Sequence, residues 1–467
     1  LHSQWGFFAS AAVAWRITEE PWMEWSRRAL DNAKIRLSAG SMGNGNVSPY
    51  SYTSEMTVSS ADDIVLGGSY PSYTTVGSTV NVSLTWEKSS TYDVGLDLDF
   101  FRNRLSISGD YYRRYTTDMY TPSISLPSVY GTTSPKGNNA ELRTTGWELS
   151  LMWRDQFKAG GKPFEYSIKA MVWDNRTVVT KYENATRSLG TLKGYIQNGG
   201  SPSDFYEGMV LGEMWGYTVA GLFRDQADID SSATHDFTQA SDKVTRPGQV
   251  KIADLDHSGV IDPGAFTADD HGDLSIIGNI NPRYMFGVNL AANWNGIGLS
   301  VFLQGVMKRD WYPSPDSGYF WGKYARPFMW VLGIHNYTDD MYSEEKNNWD
   351  TAYWPRMTTY QSNSSYSWTK LLEIPNTRYK QSAAYLRVKN IQLDYAFPKA
   401  LCQKIRLNGL KIYLSAENLF TFTPLHKYAP NFDPEALGYD TDFSSTAGDG
   451  YTYPVLKSVT LGVNITF

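Results

Sequence analysis

Alternation with a period of two recurs along the whole chain. From Val459 the odd positions are apolar (Val459, Leu461, Val463, Ile465 and Phe467), while the even ones are Thr460, Gly462, Asn464 and Thr466. Successive strand residues point to opposite faces, so this stretch predicts a strand with one apolar and one polar side. The same pattern opens the chain, where Trp5, Phe7, Ala9, Ala11, Val13, Trp15 and Ile17 share a face. Ile35, Leu37 and Ala39 alternate with Lys34, Arg36 and Ser38, and Val94, Leu96, Leu98 and Phe100 with Asp93, Gly95, Asp97 and Asp99. Further strands are predicted around Leu105–Ile107, Trp147–Trp153, Tyr166–Val172, Tyr284–Trp294, Leu299–Leu303 and Leu410–Leu414. Asn295-Gly296 between two of them is a hairpin signal. Near Asn390 the phase slips, because Leu386 and Val388 are even whereas Ile391, Leu393 and Tyr395 are odd. One extra residue re-aims a strand's faces, so a bulge is expected there.

The connections alternate in length. Turns near 102–104, 155–162 and 295–298 are short, whereas the segments 43–90, 118–141, 177–282, 312–381 and 421–454 are long. Soluble domains rarely carry structureless loops beyond about 12–15 residues. Short turns on one side and long loops on the other are characteristic of outer-membrane barrels, whose strands alternate between lipid and a polar lumen. The fold class expected is therefore all-β, a transmembrane antiparallel β-barrel, with about eleven spanning strands; single-chain bacterial barrels have an even number. The amino end shows no basic segment, apolar core or cleavage site, and the chain opens inside a strand pattern. It is expected to be the carboxy-terminal part of a longer protein.

Composition narrows the alternatives. With 467 residues, 41% hydrophobic and 15% aromatic, the chain has no run of eighteen apolar residues that would cross a bilayer as a helix. A formal net charge of -6 and the lack of a basic stripe give no support to a nucleic-acid partner. The single cysteine, Cys402, excludes an internal disulfide framework and any multi-cysteine metal cluster, and is expected as a half-buried thiol in a turn. No H-E-x-x-H, G-x-S-x-G or P-loop is present, and the six histidines are scattered, so no catalytic residues are assigned and an enzyme is not expected.

One segment has metal-ligand spacing. Asp254, Asp256, Ser258, the carbonyl of Val260 and Asp262 fall at positions 1, 3, 5, 7 and 9 of an EF-hand-like calcium loop, with Gly259 at position 6 for the sharp turn. Ala265 stands where the last acidic ligand belongs, which moves that role to Asp269, Asp270 or Asp273. The competing reading is a solvated acidic turn. No cofactor is required, and a Ca2+ here would staple a loop. The segment from Trp311 to Trp368 concentrates Trp311, Tyr312, Tyr319, Phe320, Trp321, Tyr324, Trp330, Tyr337, Trp349, Tyr353, Trp354 and Trp368. Flat aromatic faces suit sugar rings and a protein lid, but also ordinary loop packing.

Several runs carry a family resemblance: W-E-K-S-S-T-Y-D-V-G-L-D-L-D-F-F-R-N-R-L-S-I-S-G-D-Y-Y from Trp86, I-I-G-N-I-N-P-R-Y-M-F-G-V-N-L from Ile276, S-V-F-L-Q-G-V from Ser300, and Y-L-R-V-K-N-I-Q-L-D-Y-A-F-P-K from Tyr385 to L-S-A-E-N-L-F-T-F-T at Leu414. In this order they resemble the TonB-dependent transporters of the SusC/RagA type across essentially the whole chain. The resemblance implies a barrel of about twenty-two strands filled by an amino-terminal plug that lies upstream of this chain. It implies a place in the Gram-negative outer membrane, among its lipids, and TonB-driven import of a bulky nutrient, an oligosaccharide or else a peptide. A SusD-like surface lipoprotein would serve as lid. The alternating Leu461, Val463, Ile465 and Phe467 are similar to the closing strand read by the barrel-assembly machinery. A passive porin would share the barrel without plug or lid, and a soluble all-β glycan-binding protein would share the alternation.

Overall fold

The computed structural model describes residues 5–45, 53, 56–61, 64–76, 80–81, 84–122, 135–189, 205–235, 245–313, 320, 340–356, 374–437 and 455–467. Its frame is an 11-stranded sheet in which every strand pairs antiparallel with the next in sequence. The strands are β1 (Ser10–Arg16), β2 (Leu30–Asn44), β3 (Glu87–Phe100), β4 (Leu105–Pro122), β5 (Lys136–Ala159) and β6 (Lys162–Lys181). They continue as β7 (Arg283–Trp294), β8 (Ile297–Lys308), β9 (Tyr385–Ala396), β10 (Gly409–Phe422) and β11 (Ser458–Thr466). Each predicted strand is present, and most run further than the alternation alone marks.

Register turns the separate alternations into two continuous faces. Leu30, Phe100, Leu105, Trp153, Ile168, Leu290, Val301, Ile391, Ala416 and Val459 are partners in succession from β2 to β11. The adjacent row on the opposite face reads Asp99, Ser106, Met152, Lys169, Asn289, Phe302, Asn390, Glu417 and Ser458. Among the described residues no second layer covers the apolar side. Leu461 is 72% exposed and Val463 54%, and Val94, Leu96, Ile168, Leu299 and Leu393 are also exposed; Phe286 and Leu290 are half-buried. In water each such side chain forgoes about 1.5–3 kcal/mol of burial, and soluble monomers rarely expose apolar patches beyond a few hundred Å². Aromatic rings border the belt. Near the short turns Phe157 packs on Phe164 at 4.9 Å and Tyr395 on Phe397 at 4.9 Å; towards the long loops Tyr92 lies against Tyr115 at 6.2 Å. That is the girdle arrangement of a transmembrane barrel.

The tight turns all lie at one end of the sheet. Phe101, Arg102 and Asn103 turn with φ of 58, 60 and 57°, Gly160 and Gly161 with 60 and 78°, and Asn295 and Gly296 with 50 and 88°. The bulge expected near Asn390 is found: both neighbours of β9 skip Lys389, pairing with Val388 and then Asn390. Cys402 departs from expectation. It sits on a short helix, Lys399–Lys404, begun after Pro398, and is fully buried rather than half-exposed in a turn.

The apolar core lies among the long connections. Val179, Tyr217, Leu222, Val250, Ile252, Ile261 and Leu274 pack in one cluster with Trp311, Tyr312, Trp354, Tyr379, Leu425 and Phe432. The described parts of the segments 182–282, 309–384 and 423–457 thus meet in a cap at the long-loop end. No described helix is long and apolar enough to cross a membrane. Leu290→Arg, in the middle of the apolar row, should destabilise the protein by about 2–4 kcal/mol in lipid, whereas Asn289→Arg on the other face should cost far less. Urea unfolding in phospholipid vesicles checks the difference.

Candidate functional site

The polar face is built by β2 to β4. Arg36 reaches Asp97 (Nε to Oδ2, 2.8 Å) and Asp110 (Nη1 to Oδ1, 2.9 Å) on the two following strands. Its guanidinium passes close over Gly95, where a Cβ would stand 2.6 Å from Cζ, so a side chain there would push the Arg36 and Asp110 side-chain ends aside. Ser108 donates to Asp97 at 2.8 Å, Ser106 to Asp99 at 2.6 Å, and Asn32 to Asp99 at 3.0 Å. Fixed dipoles and paired charges of this kind make a hydrophilic wall against which a polar solute exchanges hydrogen bonds.

Above this wall the cap is pinned by buried polar groups. Arg309, only 4% exposed, donates to the carbonyls of Ile280 (3.2 Å), Pro434 (3.1 Å) and Leu437 (2.9 Å). Asn376 donates to the hydroxyl of Tyr312 at 2.7 Å and to the Ile374 carbonyl, and accepts from the Tyr379 amide. Arg387 on β9 is held by Asp433 and Glu435, and Lys389 binds Glu435 at 2.7 Å. Burial raises the Asp433 carboxyl, but the amide of Glu435 and the Arg387 guanidinium outweigh it and hold the group below the ordinary aspartate range. A buried pair becomes strongly destabilising when one partner is removed.

The aromatics of the loop after Trp311 are cap core where they are described. Trp311, Tyr312, Phe320 and Trp354 are all buried. Tyr353 stacks on Tyr428 at 3.6 Å, and Trp354 on Tyr379 at 5.5 Å. Trp349 and Tyr353 pack against the same cluster. Tyr319, Trp321, Tyr324, Trp330, Tyr337 and Trp368 lie outside the described residues.

The acidic loop is folded, with an altered set of convergent groups. Asp254, Asp256 and Asp273 offer carboxylate oxygens within 4.8 Å of one another. Of the carboxylates with calcium-loop spacing, Asp254 and Asp256 belong to this group and Asp262 does not. The Ser258 hydroxyl donates to the Val260 carbonyl at 2.8 Å, and Asp262 accepts from the Gly264 amide at 2.7 Å. Asp269 pairs with Arg187. Asp273, fully buried, accepts from the amides of Leu255 (2.6 Å) and Asp262 (3.0 Å). Burial, reinforced by Asp256 and Asp254, raises its pKa despite those two bonds. His257 and Gly259 supply the left-handed corners, at φ of 61 and 83°. Leu461, Val463, Ile465 and Phe467, the residues expected to carry an assembly signal, are exposed on the last strand of the sheet and beyond its end.

The profile described as TonB dependent receptor-like, beta-barrel matches residues 2–241. The chain belongs to the TonB-dependent receptor β-barrel family. TonB-dependent receptor P3 of Formosa agariphila is 26% identical over 477 residues, covering 100% of this chain and 42% of the relative. TonB-dependent receptor SusC of Bacteroides thetaiotaomicron is 23% identical, covering 100% and 40%. The chain thus spans about two-fifths of the length of these TonB-dependent receptors. Among solved structures, the RagAB peptide transporter superposes with a TM-score of 0.68 at 21% identity, over 98% of this chain and 43% of that one. The RagAB peptide importer in its closed-closed state gives 0.64 at 19% identity, over 98% and 43%. These two share the fold.

Within this receptor cap one imidazole is held neutral. His235 Nδ1 donates to the Ala233 carbonyl at 3.0 Å while Nε2 accepts from the Ile252 amide at 3.0 Å. Burial, with Lys251 assisting, lowers its pKa to about 4. Protons bind the unfolded chain more readily than the folded one between about 6.5 and that value. Stability of the cap should therefore be complete above about pH 6.5 and fall by up to about 3 kcal/mol as the pH approaches 4. Thermal unfolding across that range should show the slope, and His235→Gln should flatten it.

Proposed function

We propose that this chain forms the wall and outer cap of an outer-membrane importer for a bulky, hydrophilic nutrient. The observation that carries the reading is the division of one sheet between an uncovered apolar belt and a polar, hydrogen-bonded face, with the cap at a single end. Lipid would meet the belt, and the nutrient would pass along the polar face. The cap would face outward, since the long loops of such barrels are extracellular. Energy would come from the TonB complex in the periplasm acting on a plug, and a SusD-like surface lipoprotein would cover the mouth. Phe467 and the alternating residues before it would be read by the barrel-assembly machinery. No step breaks a covalent bond in the nutrient, so this reading needs no catalytic group.

An oligosaccharide is the first candidate cargo, because a wall of carboxylates, hydroxyls and amides matches a polyhydroxylated chain. A peptide is the second, favoured by the fold shared with the RagAB peptide transporter. The acidic loop would hold a structural Ca2+ between Asp254, Asp256 and Asp273. Asp254 Oδ1 is buried without a hydrogen-bond partner, and among the described residues no lysine or arginine pairs with any of the three carboxylates. Oxygen ligands in a loop suit calcium, which would staple the cap.

Cells relying on this importer should take up oligosaccharide only while the inner membrane is energised. Uptake of labelled oligosaccharide and of labelled peptide, before and after collapse of the proton gradient, separates the cargoes; uptake that persists after collapse would establish a passive pore instead. Adding Ca2+ to chelator-treated protein should raise its melting temperature by several degrees, and Asp273→Asn should abolish the rise. An unchanged melting temperature in the unaltered protein would discard the ion.

A further inference from the structure

The apolar face of the sheet changes character at its upper rim, on β3 to β6. Following the register upward, the row Leu37, Val94, Tyr111, Trp147 gives way to Ala39, Tyr92, Arg113, Thr145, Arg176. The next row is Ser41, Ser90, Tyr115, Arg143, Val178. Arg113, Arg143 and Arg176 thus stand on three adjacent strands and on the same side as the belt, and all three are exposed. Strands are about 4.8 Å apart, so the Cα atoms of Arg113 and Arg176 lie about 10 Å apart with Arg143 one step above the gap.

Among the described residues these guanidinium groups have no carboxylate of their own. Arg113 donates to the Tyr111 hydroxyl at 3.2 Å and lies 6.0 Å from the centre of that ring. Neither the Arg143 nor the Arg176 side chain has a hydrogen bond or ion pair among the described residues. The acids nearest in register are engaged elsewhere: Asp174 is buried under Arg283, and Glu141 faces Lys181 at 3.8 Å. Below Arg113 the face carries a groove of about 580 Å³, lined by Val13, Leu37, Ala39, Tyr92 and Tyr111. Unpaired cations above an apolar groove complement a molecule that is anionic at one end and hydrocarbon at the other.

We propose that Arg113, Arg143 and Arg176 bind the phosphate headgroup of an anionic lipid in the leaflet on the long-loop side, with acyl chain in the adjoining groove. The forked guanidinium donors match phosphate oxygens bidentately, and each basic group near a membrane surface favours an anionic lipid by about fivefold. The site rests on the membrane reading, but on none of its claims about cargo or energy.

The test uses the purified protein in phosphatidylcholine nanodiscs doped with a small fraction of lipid A, a phosphorylated glycolipid, with the lipids retained around the protein measured by mass spectrometry. The unaltered protein should enrich lipid A at least about fivefold over the bulk mixture. The combined Arg113→Gln, Arg143→Gln, Arg176→Gln variant should bring the ratio down to that of the bulk. A variant with the same charge change on the opposite face, Lys34→Gln, Arg114→Gln, Lys169→Gln, should keep the enrichment. Free inorganic phosphate should not displace the lipid, since it lacks the chain that fills the groove. Equal enrichment in all three proteins, loss in both variants, or displacement by phosphate alone would overturn the assignment. Failure of the unaltered protein to enter nanodiscs would instead count against the membrane reading.

Discussion

Backbone hydrogen bonding between neighbouring strands is the constraint on which the rest depends. In a medium without water each peptide N–H and C=O needs a partner within the protein, and an uninterrupted antiparallel order of strands supplies one on both sides of every interior strand. With the ladder satisfied, the side chains are free to sort by face. Leu290, Val301 and Ile391 can stay uncovered because the ladder beneath them does not rely on a second layer. The apolar contacts that would normally unite two layers are then found in the loops, where Trp354, Tyr379 and Leu274 are as buried as the core of a soluble domain.

Sheet and cap are held by different physics, and the difference decided what could be read from residues alone. A period of two survives along each strand, so all eleven strands and a slip near Asn390 were legible in the residues. Strand ends were not: β5 runs from Lys136 to Ala159 although its clear alternation covers only Trp147–Trp153, because cross-strand partners rather than side-chain period carry the remainder. The cap offered no period to follow. Arg309 meets carbonyls from two distant segments, and Asn376 reaches Tyr312; neither contact leaves a local trace.

The candidate sites show the same boundary. Asp254 and Asp256, which share calcium-loop spacing, lie within one short turn and near Asp273. Spacing left the last ligand open among Asp269, Asp270 and Asp273, because the difference between them lies in three dimensions: Asp269 is drawn to Arg187, and Asp273 is oriented by the amides of Leu255 and Asp262. Aromatic density after Trp311 likewise signalled a cluster without saying whether its rings face solvent. The described ones stack on each other and on Tyr428, which composition cannot express. The upper-rim arginines were legible in principle as basic residues continuing the apolar parity of β4, β5 and β6, but their proximity needed the register.

Arg309 has a wider implication for how such a mouth can vary. Three carbonyls from two separate stretches converge on one guanidinium, so lengthening either stretch near its contact would drag the other out of place. Diversification is easiest where no such knot is tied, and hardest at Ile280, Pro434 and Leu437. A receptor built this way would acquire new selectivity by remodelling tips while its knotted base moves as one block.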